Sequence, residues 1–309
     1  MSPPSSATPQ DFSTLDFGKL WLGRERTTQV ERAVLKTALG AADRRRVLEV
    51  GSGEGRLTPE ARGDSAEFVA LDLTPRFLSH IPWAHAAGTR RVVANVNSLP
   101  FADRSFTAVV MERVYNFLED PGTTLAEIRR VLLPGGMLVL SYCPKPSLAT
   151  LVDDAKVWSG GSELPFESAT LSRQDLVPVR PSSFPAWAPT RGRFRRTLES
   201  EQFTLLREFP TGFEDFRPFR MLPVGFFVRL ASDFSDVGGF PNRLVVAQTT
   251  LGPGDPLRAW SEIWACPRCG APFRLPEGDS GRLEPCTACQ LPLDLTDGIV
   301  DARNPPPLR

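Results

Sequence analysis

The sequence predicts an α/β protein with a doubly wound, mostly parallel sheet, followed by a small cysteine-containing module. Three observations support this prediction. Short apolar segments alternate with amphipathic segments up to residue 143, a glycine-rich turn directly follows the first apolar strand, and two C-x-x-C pairs lie near the end of the chain. Alternation of short strands and helices is typical of β-α-β units, which build parallel sheets with helices on both faces.

The predicted elements follow from hydrophobic periodicity. The segment "VERAVLKTAL" has apolar residues at helical spacing and predicts an amphipathic helix. The first strand runs through "RRRVLEVG" into the glycine turn. Further strands are predicted within 66–74, 89–103, 105–114, 137–143 and 242–250, with a helix at 123–132 and a helix followed by a strand over 191–209.

Length and composition favour a globular protein of about two domains. The chain has 309 residues, 41% of them hydrophobic, and a formal net charge of zero. This charge gives no argument for binding to nucleic acid or to anionic membranes. No run approaches the roughly 20 apolar residues of a membrane span. The first 18 residues lack the features of a secretory signal and are expected to form a disordered tail, so the expected location is the cytoplasm.

The stretch "EVGSGEGRLT" predicts a loop that approaches a ligand closely, because glycine has no Cβ and tolerates tight turns. No lysine follows the loop, which excludes an ATP-binding P-loop. Arg56 stands where a dinucleotide-binding motif would have its third glycine, which disfavours NAD. The remaining pattern is E-x-G-x-G-x-G, with Glu49 at the end of the strand. Taken alone, such a turn could also be purely structural.

Three segments in this order resemble the class I S-adenosylmethionine-dependent methyltransferases, in particular the subgroup similar to quinone-biosynthesis enzymes. They are "VLEVGSGEGRLT", "VALDLTPRFL" and "ANVNSLPFADRSFTAVVMERVYNFLEDPGTTLAEIRRVLLPGGMLVLSY". The resemblance implies a Rossmann-like methyltransferase domain over 19–250, a mostly parallel sheet with one antiparallel strand, and an insertion or lid at about 146–190.

The same resemblance implies the residues that hold the cofactor. Glu49 and the loop at 51–55 would hold the methionine portion, Asp72 the ribose hydroxyls, and Asn95 the adenine amino group, at a position where aspartate is usual. Val96 would offer backbone contacts, with Leu73 and Leu99 as apolar cover. The implied cofactor-binding set is Glu49, Gly51, Ser52, Gly53, Gly55, Asp72, Leu73, Asn95, Val96 and Met111.

Methyl transfer from a sulfonium requires alignment of three atoms more than it requires a dedicated base. Many members of the family carry histidines after the fourth strand, whereas this chain has only His80 and His85, which lie elsewhere. The candidate catalytic residues are therefore Glu112, Tyr115 and Asn116 after the fourth strand, with Tyr142 after the fifth. For Tyr115 the alternative is packing against the sheet. Thr107 replaces a common aspartate, which is expected to affect local structure only.

The acceptor pocket is expected between the N-terminal segment and the insertion. Both contain aromatic residues that could close over an apolar or planar substrate or form a small core of their own: Trp21, Trp158, Phe166, Phe184 and Trp187. The basic set of Arg191, Arg193, Arg195 and Arg196 fits a solvated helix face better than a phosphate site.

The motifs "CPRCG" and "CTAC" give the spacing C-x2-C-x16-C-x2-C. This spacing predicts a structural zinc site of four thiolates, with a redox dithiol or an iron–sulfur site as the alternative. The predicted ligands are Cys266, Cys269, Cys286 and Cys289, in a zinc ribbon at 262–303 after a linker at 251–261. The ribbon and its tail "LPLDLTDGIVDAR" resemble small zinc-ribbon proteins that activate methyltransferases by adding a strand to them.

The sequence leaves several functions open. A methyltransferase acting on a small molecule is favoured, followed by an RNA or protein methyltransferase with a built-in activating ribbon. A regulatory protein that binds S-adenosylmethionine but catalyses weakly is a further alternative, and an NAD-dependent oxidoreductase is disfavoured. The acceptor is unidentified, a membrane partner is not expected, and a homodimer is left open.

Overall fold

A computed structural model describes residues 21, 24–81, 88–145, 188–212, 214, 221–235, 238–250, 256–276 and 283–304. The predicted N-terminal tail, the insertion at 146–187 and the first half of the predicted linker lie outside these residues, as does His85. Within the described part of the chain, no helix has both the length and the apolar character needed to cross a membrane.

The described residues form six α-helices around one nine-stranded sheet. The helices are α1 (Glu25–Ala38), α2 (Thr58–Arg62), α3 (Pro75–Ser79), α4 (Pro121–Val131), α5 (Arg191–Ser200) and α6 (Val224–Asp233). The strands are β1 (Arg46–Val50), β2 (Glu67–Asp72), β3 (Thr89–Val93), β4 (Phe106–Met111), β5 (Leu132–Tyr142), β6 (Phe203–Thr211), β7 (Asn242–Thr249), β8 (Asp294–Thr296) and β9 (Ile299–Asp301).

The sheet has the order β6-β7-β5-β4-β1-β2-β3-β9-β8. Strands β1 to β5 pair in parallel, and β7 runs antiparallel between β5 and β6. Chain order reverses between β1 and β4, and ligands of such sheets bind at the carboxyl ends of the strands at this switch point. The predicted Rossmann-like methyltransferase fold is confirmed. One detail differs, since the C-terminal hairpin adds β8 as a second strand of opposite direction.

The two faces of the sheet have separate cores, because successive side chains of a strand point to opposite faces. Helices α1 and α6 cover one face through buried residues that include Val30, Val34 and Phe227. Helices α4 and α5 cover the other face, where Leu125 and Phe194 contribute to the core. Helix α6 was not predicted from the sequence.

The cysteine module belongs to the second core and to the sheet itself. Strand β9 pairs in parallel with β3, with Val300 opposite Val92. Trp264 is almost fully buried, and its ring lies 5.5 Å from that of Phe101. The backbone of Ile263 accepts a hydrogen bond from Ala102. The module therefore covers the β3 edge, which would otherwise expose unpaired backbone groups.

Candidate functional site

The glycine loop after β1 lies at the switch point of the sheet. Gly51, Gly53 and Gly55 all have positive φ angles, of 70°, 55° and 86°. A Cβ on Gly51 would lie 2.2 Å from Cγ2 of Val114, so glycine is required there by close packing. A Cβ on Gly53 would meet nothing within 4 Å. Val114 thus leaves no room for a side chain at Gly51, whereas the space beside Gly53 is open.

Asp72, at the end of β2, organises this loop. Its Oδ2 accepts a hydrogen bond of 2.9 Å from the Gly53 N–H, and its Oδ1 accepts one of 2.9 Å from the Thr74 N–H. Burial raises the pKa of Asp72, although the backbone donors act in the opposite direction. Each oxygen of a carboxylate can accept a second hydrogen bond, so Asp72 can also bind hydroxyl groups of a ligand.

Glu49 lies beneath the loop and is buried. The Thr58 hydroxyl donates to its Oε2 at 2.5 Å. Burial raises the pKa of Glu49 to about 8, with a further contribution from the nearby carboxyl groups of Glu112 and Asp72. At neutral pH this carboxyl group is therefore mostly protonated, which removes the penalty of burying a charge.

The loop after β3 is fixed from several sides. The side-chain oxygen of Asn95 accepts from the Asn97 N–H at 2.9 Å and keeps capacity for a second donor. Helix α4 holds the same loop, since Glu127 accepts from the Leu99 N–H at 2.7 Å. Leu99 is buried, whereas Val96 is half-buried, as is Leu73 after β2. The structure therefore brings the predicted adenine and ribose residues to neighbouring strand ends.

A buried ion-pair cluster lies beside the loop and was missed by the sequence analysis. Glu31 of α1 is nearly inaccessible and contacts two arginines. Arg56 donates to its Oε2 at 2.6 Å, and Arg113 donates through two nitrogens to its Oε1. Burial alone would raise the pKa of Glu31, but Arg113 and Arg56 together hold it below its usual value. Helix α1 is thereby tied to the glycine loop and to the segment after β4.

Two further features belong to this cluster. The Arg56 guanidinium lies 3.5 Å from the ring centroid of Trp21, which is a cation–π contact. Arg113 has a φ of 61°, an unusual conformation for a residue with a side chain. The ion pairs of this cluster have no sequence signal, because Glu31 and Arg113 are separated by 82 positions along the chain.

Met111 and Glu112 follow each other at the end of β4 and take opposite sides. Met111 is fully buried in the core beneath α4 and α5. Glu112 is 8% exposed, and its Oε1 has no hydrogen-bond partner among the described residues. Burial raises the pKa of Glu112 to about 7, helped by the charge of Glu31, while a hydrogen bond with Ser141 lowers it.

Tyr115 and Tyr142 lie in the aromatic core next to Phe194. The Tyr142 ring stacks on Phe194 at 3.8 Å, and Tyr115 contacts Phe194 edge-on at 5.1 Å. Burial raises the pKa of Tyr115 to about 12. Both rings therefore have the packing role that the sequence analysis gave as the alternative for Tyr115.

Asn116 connects the ends of two strands. Its side-chain oxygen accepts from the Cys143 N–H at 2.7 Å, and its N–H donates to the Cys143 carbonyl at 3.1 Å. This reciprocal pair joins the segment after β4 to the end of β5. Thr107 makes a similar pair with the backbone of Arg46, in line with the local role expected for it. His80 is exposed at the end of α3.

The arginines of α5 contact an acidic partner. Arg191 and Arg195 both bind the buried Glu208 of β6, at 2.8 and 2.9 Å. Arg243 of β7 contacts the same carboxylate at 2.8 Å. The expected solvated helix face is therefore replaced, for Arg191 and Arg195, by ion pairs with Glu208.

The four cysteines of the C-terminal module form a single cluster. Their sulfur atoms all lie within 4.8 Å of one another, with 3.6 Å between Cys266 and Cys289 and 3.5 Å between Cys269 and Cys286. A tetrahedral zinc–thiolate site with bonds of about 2.3 Å has sulfur atoms about 3.8 Å apart. The cluster has the composition and size to hold such an ion.

The two C-x-x-C turns have the same backbone pattern. In the first, the Gly270 N–H donates to the Cys266 carbonyl, and the Cys266 N–H donates to the Ala271 carbonyl. In the second, Gln290 and Leu291 take the corresponding places around Cys286. Each turn ends in a residue with positive φ, Gly270 or Gln290. Two equivalent knuckles thus present two sulfurs each.

The first knuckle touches the loop after β3. The Ser98 hydroxyl donates to the Pro267 carbonyl, and the Ala265 N–H donates to the Pro100 carbonyl. The Ala302 N–H, just after β9, donates to the Val93 carbonyl at 2.9 Å. The predicted adenine loop is consequently held between α4 and the cysteine module.

Comparison with known proteins agrees with this geometry. Residues 48–140 match the family model described as a methyltransferase domain. The matched range contains the glycine loop, Asp72, Asn95 and the segment after β4. The match to a methyltransferase domain therefore falls on the central strands of the sheet, from β1 to β5.

Curated relatives match the same part of the chain. An uncharacterized methyltransferase of Mycobacterium sp. (strain JLS) is 39% identical over 98 residues, which cover 32% of this chain and 38% of the relative. A demethylmenaquinone methyltransferase of Renibacterium salmoninarum is 32% identical over 122 residues, covering 38% and 48%. The chain thus spans less than half of the length of these relatives.

Solved structures share the fold over a longer range. A SAM-dependent methyltransferase of Thermotoga maritima aligns with a TM-score of 0.52 at 16% identity, covering 76% of this chain and 94% of that one. A chain from a Haloferax volcanii complex that contains the Trm112 methyltransferase activator aligns with a TM-score of 0.50 at 16% identity, covering 77% and 100%. At these identities the similarity concerns the fold.

Proposed function

We propose that the protein is an S-adenosylmethionine-dependent methyltransferase that acts on a small molecule. The observation that carries this proposal is the loop geometry around Asp72. The Gly53 N–H is held by the Asp72 carboxylate while the space above Gly53 stays open, inside the segment that matches the methyltransferase domain. A backbone without side chains lets a ligand approach closely, and a carboxylate accepts from two adjacent ribose hydroxyls.

The residues proposed to hold the cofactor follow the ends of β1, β2 and β3, and each group would contact a different part of it. Glu49 and the loop from Gly51 to Gly55 would take the methionine portion, and Asp72 the ribose. Asn95 would accept from the adenine amino group, with Val96 and Leu73 beside the ring. When bound, S-adenosylmethionine supplies an electrophilic methyl group on a sulfonium centre.

We assign Asn116, Tyr115 and Met111 to positioning. Asn116 fixes the ends of β4 and β5 relative to each other, and Tyr115 supports them from the core. Met111 lies under the switch point. These residues align an acceptor with the methyl group, which is the main requirement of an in-line displacement.

The names of relatives and the charge of the chain favour a small acceptor. One relative is a demethylmenaquinone methyltransferase, and another is a malonyl-[acyl-carrier protein] O-methyltransferase of Enterobacter lignolyticus. The net charge of zero lacks the excess of basic residues that would attract a phosphate backbone. RNA or protein remains the second candidate, favoured by the cysteine module that adds a strand to the sheet.

We further propose that the four cysteines bind one structural Zn²⁺. Four thiolates close the coordination sphere, so the ion would stabilise the ribbon and not take part in catalysis. Free thiolates of this kind fit a reducing compartment such as the cytoplasm.

Calorimetry on the full chain tests the cofactor proposal. We expect binding of S-adenosylmethionine and S-adenosylhomocysteine and no binding of NAD. Asp72→Asn should weaken S-adenosylhomocysteine binding about tenfold, equivalent to ~1.4 kcal/mol. The control is Asp43→Asn, which alters a partly exposed carboxylate far from the loop. Binding of NAD alone would contradict the proposal.

Methylation assays then separate the alternatives. Label transferred from S-adenosylmethionine to material that resists nuclease and protease supports the small-molecule acceptor. Label lost on nuclease or protease treatment supports RNA or protein, and cofactor binding without any transfer supports the regulatory alternative. Light scattering decides whether the protein is a monomer or a homodimer.

A further inference from the structure

The carboxyl edge of the sheet has two halves with different contents. The glycine loop, Asp72 and Asn95 follow β1, β2 and β3, on one side of the switch point. Glu112 follows β4, and beyond it lie the end of β5, the beginning of β7 and the end of β6 in that order. If the cofactor occupies the first half, as proposed above, the second half is the side from which an acceptor approaches.

The second half contains a continuous chain of polar contacts. Arg113 donates to the Cys143 sulfur at 3.8 Å, and that sulfur lies 3.8 Å from the side-chain oxygen of Asn242. Asn242 in turn donates to the Thr211 hydroxyl at 3.0 Å. Glu214 lies in the segment that follows β6, and its Oε2 accepts a hydrogen bond of 2.8 Å from the Gly212 N–H.

Two carboxyl groups in this half have an unused oxygen. Glu112 is 8% exposed and Glu214 is 1% exposed. Oε1 of each is buried without a hydrogen-bond partner among the described residues. Both groups are within electrostatic reach of the Glu31–Arg113 pair. A buried acceptor atom without a donor is costly, so such an atom commonly marks the place of a missing donor.

The nearby arginines do not fill this need. Arg56 and Arg113 both donate to Glu31, and neither donates a hydrogen bond to Oε1 of Glu112, although their charges still act on it. The unused oxygens therefore favour a ligand that brings its own N–H donors. An ammonium group has three donors and no acceptor, which makes it the natural partner of a buried carboxylate.

We propose that Glu112 binds the reacting nitrogen of an amine acceptor, and that Glu214 accepts a hydrogen bond from a second donor of the same molecule. This inference rests on the proposed methyltransferase function and extends it to the class of substrate. In this role Glu112 is a catalytic residue. An acceptor that attacks through oxygen would offer neither unused carboxylate oxygen a partner of opposite charge.

The reaction follows from this placement. The ionised Glu112 takes a proton from the bound ammonium group, which leaves a neutral amine with a free electron pair. That pair forms the new nitrogen–carbon bond while the methyl carbon–sulfur bond breaks, and the sulfur keeps the bonding electrons. The products are S-adenosylhomocysteine and a protonated methylamine, whose positive charge replaces that of the sulfonium. A carboxyl group with a pKa of about 7 can exchange this proton near neutrality.

The chemistry of the labelled product tests the proposal even while the amine itself is unidentified. The full chain is incubated with methyl-tritiated S-adenosylmethionine and a small-molecule extract of the source organism. We expect a labelled product that binds a cation exchanger at neutral pH and withstands mild alkali. Release of labelled methanol by alkali would indicate a methyl ester and overturn the proposal. A neutral, alkali-stable product would indicate an ether and overturn it as well.

Glutamine substitutions at the two proposed carboxyl groups and at a control position test which residues the methyl transfer requires. Glu112→Gln should lower transfer to the cationic product at least 100-fold, and Glu214→Gln about tenfold by raising KM. Glu199→Gln, at an exposed position of α5, is the control and should leave transfer unchanged. Transfer that is insensitive to Glu112→Gln overturns the proposal.

Calorimetry with S-adenosylhomocysteine separates this inference from the function on which it rests. Its affinity for Glu112→Gln should stay within about twofold of that for the unmodified chain. An equal loss of cofactor binding and transfer would place Glu112 against the cofactor and overturn the acceptor site. Cofactor binding by the unmodified chain with no labelled product also overturns it. Absence of cofactor binding by the unmodified chain refutes the methyltransferase function itself.

Once a labelled amine is identified, its binding to the protein loaded with S-adenosylhomocysteine gives a second readout. At pH 7, binding should release protons, measured by calorimetry in two buffers of different ionisation enthalpy. Fewer protons should be released by Glu112→Gln. An unchanged proton release would contradict the contact between Glu112 and the amine.

Discussion

We call the loops that follow β1, β2 and β3, where the cofactor is proposed to bind, the cofactor edge. Both the cofactor edge and the cysteine module hold irregular backbone in place, but they do so by opposite means. The module uses two short turns of identical pattern, each of which places two sulfurs within four residues. The cofactor edge uses side chains from distant parts of the chain, such as Glu31 with Arg113. With the proposed zinc, the module would depend on a single ion, whereas the loop depends on several contacts made by separate elements.

This difference leads to different responses to damage. Removing one cysteine from a four-thiolate site removes the ion and with it the order of the whole module. Removing one contact from the glycine loop leaves the others in place, so the loop should weaken stepwise. The predictions below test this contrast, beginning with the largest expected effect.

Loss of the metal should have the largest effect. Removing the ion with a chelator, or introducing Cys266→Ser, should reduce the zinc content from about one ion per chain to none. Zinc binding contributes about 10 kcal/mol or more in small zinc-dependent folds, so thermal unfolding should shift down by more than ~10 °C. Metal analysis and a thermal scan measure both changes. Cys143→Ser is the control, since Cys143 lies outside the module, and loss of zinc in that variant would refute the assigned ligand set.

The buried carboxylate of α1 should have the next largest effect. Glu31→Gln leaves Arg56 and Arg113 without their shared anion, which should destabilise the fold by about 3 kcal/mol in urea unfolding. Glu25→Gln, at an exposed position of the same helix, is the control. A difference below ~1 kcal/mol between the two variants would show that the cluster contributes little.

The pH dependence of the same variant sharpens the result. The two arginines lower the pKa of Glu31 in the folded protein, so its stabilising contribution is present above the unfolded value of about 4.5. That contribution is lost as the pH falls through the folded pKa. Glu31→Gln should consequently lose less stability on acidification than the unmodified chain.

Alanine substitutions of Gly51 and Gly53 should differ in their effects on stability and on ligand binding, because only Gly51 is packed against a side chain. Gly51→Ala places a Cβ against Val114 at positive φ and should destabilise the fold by about 2 to 4 kcal/mol. Gly53→Ala meets no atom, so it should destabilise the fold by only ~1 kcal/mol and mainly weaken S-adenosylhomocysteine binding. Adding Val114→Ala to Gly51→Ala should recover part of the stability. Equal stability of the two single variants would contradict this division.

Loss of the hydrogen bond between Ser98, in the loop after β3, and Pro267 of the cysteine module should have the smallest effect on stability. Ser98→Ala removes the hydroxyl that donates to the Pro267 carbonyl and should destabilise the fold by ~1 kcal/mol or less. S-adenosylhomocysteine affinity should fall less than threefold. Ser79→Ala also removes a hydroxyl that donates to a carbonyl, that of Arg76 within α3, and is the matched control. A larger loss of affinity in Ser98→Ala would show that the module supports the adenine loop directly.

The sequence predicted most of the fold and the proximity of the four cysteines because these depend on local patterns. Strand and helix positions follow from apolar periodicity, and the cysteine cluster follows from spacing within two turns. The cofactor edge was predicted only in part. Asp72 and the glycines have local signals, whereas the pairing of Glu31 with Arg56 and Arg113 depends on how the chain folds back. The packing of Tyr115 against Phe194 is equally invisible, because 79 positions separate the two rings.

Helix α6 shows a different limit of prediction. Its apolar residues are only partly buried, with Phe227 in the core and Phe226 exposed. Val224, Phe227, Val228 and Ala231 nevertheless lie at helical spacing on its buried side, so the sequence contains a signal for this helix. Its contacts with α1 and β6 show which face of the sheet it covers.

The pairing of β9 with β3 has a consequence for how the protein is made. When β3 leaves the ribosome, its outer edge waits until about 200 more residues have been synthesised before β9 can pair with it. Throughout that interval the nascent chain presents an open strand edge, which is a template for association with other chains. If the module folds around zinc, as proposed, metal supply during synthesis sets how long this edge stays open, and expression under zinc depletion should increase the aggregated fraction of the protein.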